Sequence, residues 1–184
     1  MIETERLILR GWRESDVEPF HAMCNDAEVM EFLGPYLSRA DAEGAMERQN
    51  GTLAQLGYCF WAVERREDGA FMGFCGVKPG PAETPIEGEI EIGWRLARPY
   101  WGKGYAREAA QASLDWVWAN LDADSVSAIT VLGNARSWGL MERLGMARAE
   151  GDDFDHPNVP IGNPIRRHIT YRIARPVNHE AIGA

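Results

Sequence analysis

Two glycines with a lysine between them, Gly102-Lys103-Gly104, sit in the stretch LARPYWGKGYAREAA at residues 96–110, with Arg107 three positions further on. Ahead of them residues 89–96 alternate, placing Ile90, Ile92, Trp94 and Leu96 on one side and Glu89, Glu91 and Gly93 on the other. Behind them Ala106, Ala109, Ala110, Leu114, Val117, Trp118 and Leu121 recur at three- and four-residue steps, the period of a helix with one buried face. The stretch therefore reads as strand, glycine turn and helix. Glycine lets the backbone bend and lets a ligand approach it without a side chain in the way. The first helical turn presents N–H groups with no intrahelical acceptor, at the positive end of the helix dipole. Such a turn binds phosphate, and Lys103 and Arg107 add positive charge beside it.

Three phosphate-binding patterns compete for this turn. The P-loop pattern requires G-x-x-x-x-G-K-[ST]; here the lysine lies between the glycines and no Ser or Thr follows it. The dinucleotide fingerprint requires a third glycine, where this chain has Arg107. It also follows a strand buried on both faces, which reads as a continuous apolar run. Glu89 and Glu91 interrupt that run, which opposes a nicotinamide-dependent oxidoreductase. The segment W-G-K-G-Y-A resembles the acyl-coenzyme A pyrophosphate turn of the GNAT N-acetyltransferase superfamily, Q/R-x-x-G-x-G/A. Trp101 stands at the Q/R position, Gly104 at the glycine and Ala106 at the final small residue. The tryptophan departs from the general pattern. P-Y-W-G-K-G-Y-A followed by E-A resembles the branch of ribosomal-protein N-terminal acetyltransferases of RimJ and RimL type. The competing reading is an ordinary glycine-rich strand-to-helix connection.

Acetyl transfer from a thioester to an amine needs the thioester held, its carbonyl polarised, the ammonium deprotonated and the leaving thiolate stabilised. A lysine-type amine has a pKa of about 10 and an α-amine about 8, and only the neutral form attacks, so a base is needed most for the former. The resemblance implies that a carboxylate on the fourth strand relays the proton, and Glu91 lies ten positions before Trp101, with Glu89 next. The alternative is that both glutamates are the solvated face of a half-exposed antiparallel strand. The resemblance further implies coenzyme contacts from Trp94, Arg95 and Leu96 at the end of a strand that splays from the fifth. It implies them also from Trp101, Gly102, Lys103, Gly104, Tyr105, Ala106 and Arg107 of the turn.

Asn134-Ala135-Arg136-Ser137, with Leu140 to Met146 beyond, resembles the family's N-x-x-S/A-x-x-x-x-x-x-G-F/M segment. By that resemblance Asn134 binds the pantetheine arm. Members with a catalytic acid here frequently place Tyr where this chain has Met141, and a thioether donates no proton. Ser137 could instead donate a hydrogen bond to the thiolate. Asn134 and Ser137 could equally be helix-capping residues with no ligand. His156, His168 and Tyr171 are further titratable candidates. Cys59 and Cys75 lie in apolar strand runs and read as core residues.

The elements that must position these groups follow in order. Residues 1–10 form a first strand. A short helix starts at Glu14 or Ser15 and buries Val17, Phe20 and Cys24. Asp26 caps another that carries Val29 and Phe32 or Leu33 up to Gly34-Pro35, and Ser38 with Asp41 opens a third that runs to about Leu53. Residues 58–64, 70–77 and 89–96 read as an antiparallel meander, with Asp68-Gly69 as a hairpin turn. Residues 127–132, 146–154 and 166–173 are the later strands. The resemblance implies a mixed, mostly antiparallel twisted sheet of about seven strands flanked by helices, an α/β (α+β) fold. Residues 1–175 form the single domain and 176–184 a tail.

The chain has 184 residues, 45% hydrophobic and 26% charged, as expected of one soluble domain with a substantial core. No run reaches the length of a membrane span, and the charged first ten residues do not suit a signal peptide. Three cysteines without C-x-x-C spacing suit reduced thiols in a cytoplasm and give no metal site. The formal charge of −9 opposes general affinity for nucleic acid and favours an amine or basic polypeptide as partner. The expected reaction is direct transfer in a ternary complex, because no covalent nucleophile lies near the turn. The co-substrate is acetyl-coenzyme A, without a metal, and the acceptor is a protein N-terminal α-amine or a small-molecule amine. A non-catalytic acyl-coenzyme A sensor is the alternative, and a homodimer is common in the family.

Overall fold

Capping side chains open the helices that begin at Ala27, Arg39 and Ala135, whereas those that begin at Val17 and Tyr105 have none among the described residues. The computed structural model describes residues 1–177. In chain order these are β1 (Ile2–Glu3), β2 (Leu7–Arg10), α1 (Val17–Met23), α2 (Ala27–Met30), α3 (Arg39–Leu56), β3 (Phe60–Arg65), β4 (Phe71–Pro79), β5 (Ile90–Leu96), α4 (Tyr105–Asn120), β6 (Ser125–Val131), α5 (Ala135–Arg143), β7 (Ala147–Arg148), β8 (Phe154–Asp155) and β9 (Arg167–Ala174). The Asp26 side chain accepts from Glu28 N and Val29 N at the start of α2, and Ser38 and Asp41 form a reciprocal capping box on α3. Gly57, in the left-handed region at φ 82°, closes α3.

The open sheet runs β1-β2-β3-β4-β5-β6-β9, with β7 and β8 both pairing with β9. The expected seven strands become nine by interruption. The first divides between Glu3 and Leu7, and the sixth divides around a turn of 3-10 helix at Glu150–Asp152. Every pairing is antiparallel except β5 with β6. These two parallel strands share only Ile90↔Val126 and Glu91↔Ser127 before they part, which is the expected splay. α2 ends at Met30, earlier than the sequence pattern suggests. The expected tail falls outside the described residues except for Pro176 and Val177.

Each face of the sheet is covered. On one, α4 lays Ala109, Ala110, Leu114 and Val117 against Val77, Ile92 and Leu96. On the other, α1 and α3 bring Phe20 and Met46 together with Trp12 and Ala62, and Phe74 packs against this second core. The expectation for β5 changes at one position: Glu91 is only 8% exposed, so there its polar side is not a solvated face.

Candidate active site

The turn between β5 and α4 is open where a ligand would approach. Gly102 and Gly104 have φ of 73° and 82°, a region that side chains rarely adopt, and a Cβ at Gly102 would meet nothing within 4 Å. No side chain among the described residues caps the N-terminus of α4, a helix of 16 residues, so its first amides remain available to an anion. Trp101 donates from Nε1 to Leu96 O at 2.7 Å, and its ring lies 4.6 Å from the Arg136 guanidinium and 5.1 Å from that of Arg98. The indole of Trp101 thus gathers two arginines at the turn. Glu28 within α2 and Glu31 at its C-terminal end pair with Arg98 and Arg136 respectively.

The outer side of the turn is held by the N-terminal hairpin. Arg6 Nη1 donates to Lys103 O at 3.1 Å, and its guanidinium lies 4.5 Å from the Tyr105 ring. Glu108 accepts from Thr4 Oγ1 at 2.6 Å, Arg6 N at 2.9 Å and Arg6 Nε at 2.6 Å. The Lys103 ammonium donates to Pro99 O at 2.9 Å and is directed away from the cleft.

From this turn a cleft of about 940 Å³ runs along β5 and between β6 and α5, within the usual size of ligand sites. Glu91, Trp94, Arg95, Leu96, Trp101, Gly102, Gly104, Tyr105, Ala106, Arg107, Asn134 and Ser137 all border it, whereas Lys103 does not. Trp94 and Leu96 pack on the α4 side of β5, while the Arg95 side chain lies on the opposite side, its guanidinium 5.4 Å from the Phe74 ring.

Glu91 and Glu89 occupy different environments. Glu91 Oε2 accepts from Lys78 Nζ at 2.5 Å. Burial pushes the Glu91 carboxyl above its ordinary pKa, against the lowering influence of the Lys78 ammonium. Glu89 is held by Arg172 Nε at 2.9 Å and by the Ser127 hydroxyl, and it does not border the cleft. A buried carboxylate whose pKa is raised, facing a ligand cleft, is a stronger base than an ordinary carboxylate and a candidate for accepting a proton there.

On the far wall, Asn134 Oδ1 accepts from Ser137 N at 3.3 Å and caps α5, while no described residue accepts from its side-chain amide. The capping role is therefore real and leaves a donor over. The half-buried Ser137 hydroxyl has no partner among the described residues, and Met141 beside it is buried. Tyr171 donates from its hydroxyl to Glu142 Oε1 at 3.3 Å and lies in the core. His156 and His168, with ring centroids 5.0 Å apart beside Phe154, do not border the cleft. Burial depresses the pKa of both imidazoles, and for His156 the neighbouring His168 and Lys78 add to it. No group of three His, Cys, Asp or Glu among the described residues is disposed to hold a metal ion, and no helix among them is long and apolar enough to cross a membrane.

Residue patterns alone did not single out Lys78, Phe60 or Glu108. Lys78 becomes the partner of Glu91 through the β4–β5 register, which depends on the path of residues 80–89. Glu108 sits one residue beyond Arg107 in the first turn of a helix, where an acidic residue ordinarily signals only a favourable dipole.

A sequence profile described as "Acetyltransferase (GNAT) domain" matches residues 6–147. The uncharacterized protein YkkB of Bacillus subtilis is 30% identical over 144 residues, covering 78% of this chain and 83% of its own. The uncharacterized N-acetyltransferase YnaD of the same organism is 28% identical, covering 88% and 89%. A crystal structure of a GNAT-family acetyltransferase from Bacillus anthracis superposes with a TM-score of 0.77 at 25% identity, over 95% of this chain and 98% of that one.

Proposed function

This chain belongs to the GNAT acetyltransferase family, and from that membership we propose that it carries the acetyl group of acetyl-coenzyme A to a primary amine by direct attack, with residues 1–175 as the transferase domain. In this reading the amides at the start of α4, with Gly102 and Gly104, hold the diphosphate of the coenzyme. Arg107 and Arg136 supply positive charge at the mouth, and the side-chain amide of Asn134 donates to the pantetheine arm. The backbone edge of Trp94 and Arg95 that faces away from β4, left without β6 as a partner, meets the same arm, with Leu96 beside it. Lys103 acts through its carbonyl grip on Arg6 rather than through its ammonium.

Glu91 receives the proton that the ammonium must lose, directly or through one water. The freed nitrogen lone pair forms the C–N bond, the C–S bond breaks with its electron pair on the sulfur, and the nitrogen gives up its second proton to the departing thiolate or to solvent. Ser137 donates its hydroxyl hydrogen bond toward that thiolate. The observation that carries the proposal is the presence of Glu91, buried and with a raised pKa, on the same cleft as the uncapped N-terminus of α4.

The turn P-Y-W-G-K-G-Y-A supports placement in the RimJ/RimL-like branch, with a protein N-terminal α-amine or a small-molecule amine as acceptor. The free, buried thiols of Cys24, Cys59 and Cys75 fit a cytoplasmic setting, and association as a homodimer belongs to the same proposal. The test is release of free thiol from acetyl-coenzyme A on addition of peptides with varied N-termini, polyamines and aminoglycosides. Release with at least one amine class is expected. Heat of coenzyme A binding without release from any amine would replace this reading with the non-catalytic sensor.

A further inference from the structure

Three successive positions on one side of β5 are Glu91, Gly93 and Arg95, and the register sets them opposite Lys78, Gly76 and Phe74 of β4. The paired glycines leave a gap that the ring of Phe60 fills: a Cβ on Gly93 would come within 2.8 Å of Phe60 Cζ. Phe60 stacks on Phe74 with centroids 5.4 Å apart, and the guanidinium of Arg95 lies 5.4 Å from the Phe74 ring. The strip therefore runs from a carboxylate, over an aromatic floor, to a cation. The two ends are about 13 Å apart along the strand. Beside it opens a second cavity of about 240 Å³, walled by Trp12, Phe20, Phe60, Phe74 and Leu33, with Arg95 at its edge.

The cation is uncompensated. Arg95 forms no ion pair with any described carboxylate, and its Nε is buried without a hydrogen-bond partner among the described residues. Its Nη1 donates only to Cys24 Sγ at 3.3 Å. Burial raises the pKa of that thiol, although Arg95 opposes the shift, so Cys24 stays neutral and supplies no counter-charge. A half-buried guanidinium left in this state costs the fold, and an entering anion removes the cost.

We propose that the acceptor is an amine that also bears an anionic group, a carboxylate or a phosphate, which Arg95 takes while an apolar body lies in the aromatic cavity. The proposal rests on the transferase reading for the amine and on the Arg95 geometry for the anion. A planar guanidinium with a free N–H suits either oxyanion. The proposal opposes the bias toward basic partners that the net charge of −9 suggests, because local charge at the pocket decides what is seated there.

The experiment has two readouts on the full chain. Calorimetry with coenzyme A-saturated protein compares 3-phenylpropionate, phenethyl phosphate and 3-phenylpropionamide, none of which carries an amine. Binding of one of the two anions roughly tenfold or more above the amide is expected, with the better anion naming the group. Arg95→Met should erase the difference and Arg95→Lys keep part of it. Thiol release then compares the dipeptide Gly-Phe, its C-terminal amide and spermidine, with Gly-Phe expected to give the highest kcat/KM. Equal binding of amide and anions by the unaltered protein overturns the proposal, as does an anion preference that survives Arg95→Met. Turnover of amines without preference for the acid sinks this proposal alone. An anion preference without turnover of any amine keeps the Arg95 site and sinks the transferase reading.

Discussion

Lys78 Nζ lies 2.5 Å from Glu91 Oε2 across the β4–β5 pair, where the register sets the two residues directly opposite one another. The lysine opposes the rise in pKa that burial imposes on the Glu91 carboxyl. If Glu91 takes the proton from the amine, Glu91→Gln should lower kcat by about 10²–10⁴-fold and leave coenzyme A affinity nearly unchanged. Unaltered kcat in steady-state thiol release would remove Glu91 from the mechanism.

The same pair sets a pH dependence. With its pKa raised by burial, Glu91 should place the acid limb of kcat/KM above the ordinary carboxylate range, and Lys78→Met should move that limb higher still, since the lysine is what opposes burial. A limb that stays still, or moves down, in the pH profile of Lys78→Met would contradict the assignment.

Ser137 offers a test of the leaving group. Ser137→Ala exchanges it for a better helix former inside α5, so the fold should not suffer. Loss of a hydrogen bond to a thiolate should lower kcat by about ten- to a hundredfold, with the coenzyme dissociation constant retained. An unchanged kcat would leave Ser137 as a residue that only receives the Asn134 cap.

Gly102 separates backbone strain from charge at the turn. Gly102→Ala and Gly102→Asp each introduce a Cβ at φ 73°, costing about 1–2 kcal/mol of conformation, and each Cβ enters open space. Only the aspartate repels a diphosphate. Coenzyme A should therefore bind the Asp variant much more weakly than the Ala variant, and equal calorimetric affinities would put the diphosphate elsewhere.

Acid should loosen the edge formed by β8 and β9. The folded pKa values of His156 and His168 lie below the ordinary imidazole value, so the unfolded chain binds more protons in the window beneath about 6.5. Stability from these neutral rings is present above that value and is lost as pH falls through the depressed folded values. Urea midpoints should fall between pH 7 and pH 5.5, and less steeply in His168→Gln. An identical slope in the two proteins would assign the acid sensitivity to other groups.

The turn and its helix were legible because their information is local: glycines where φ is positive, alternation before them and helical spacing after them. Ser38 with Asp41, and Asp26, could be read as caps for the same reason. The environment of Glu91 was not legible. Alternation marks two sides of a strand but does not say whether the polar one is buried, and at Glu91 it is. Nor could spacing show that Lys103 bends back to Pro99, or that Arg95 faces away from Trp94 into an aromatic cavity. Those depend on register and on packing between segments distant in the chain. Asn134 caps α5, one of its two sequence-based descriptions, and its amide donor end stays free for the other.

Among the described residues two rungs, Ile90↔Val126 and Glu91↔Ser127, are all that join β1 through β5 to the strands from β6 onward by strand pairing. A molecule lying in the fork would act as the absent rung between the diverging segments, tying one half to the other. Amide deuteration near residues 93–96 and 128–131 should then slow together on filling, and the melting transition should sharpen as the two halves come to unfold as one.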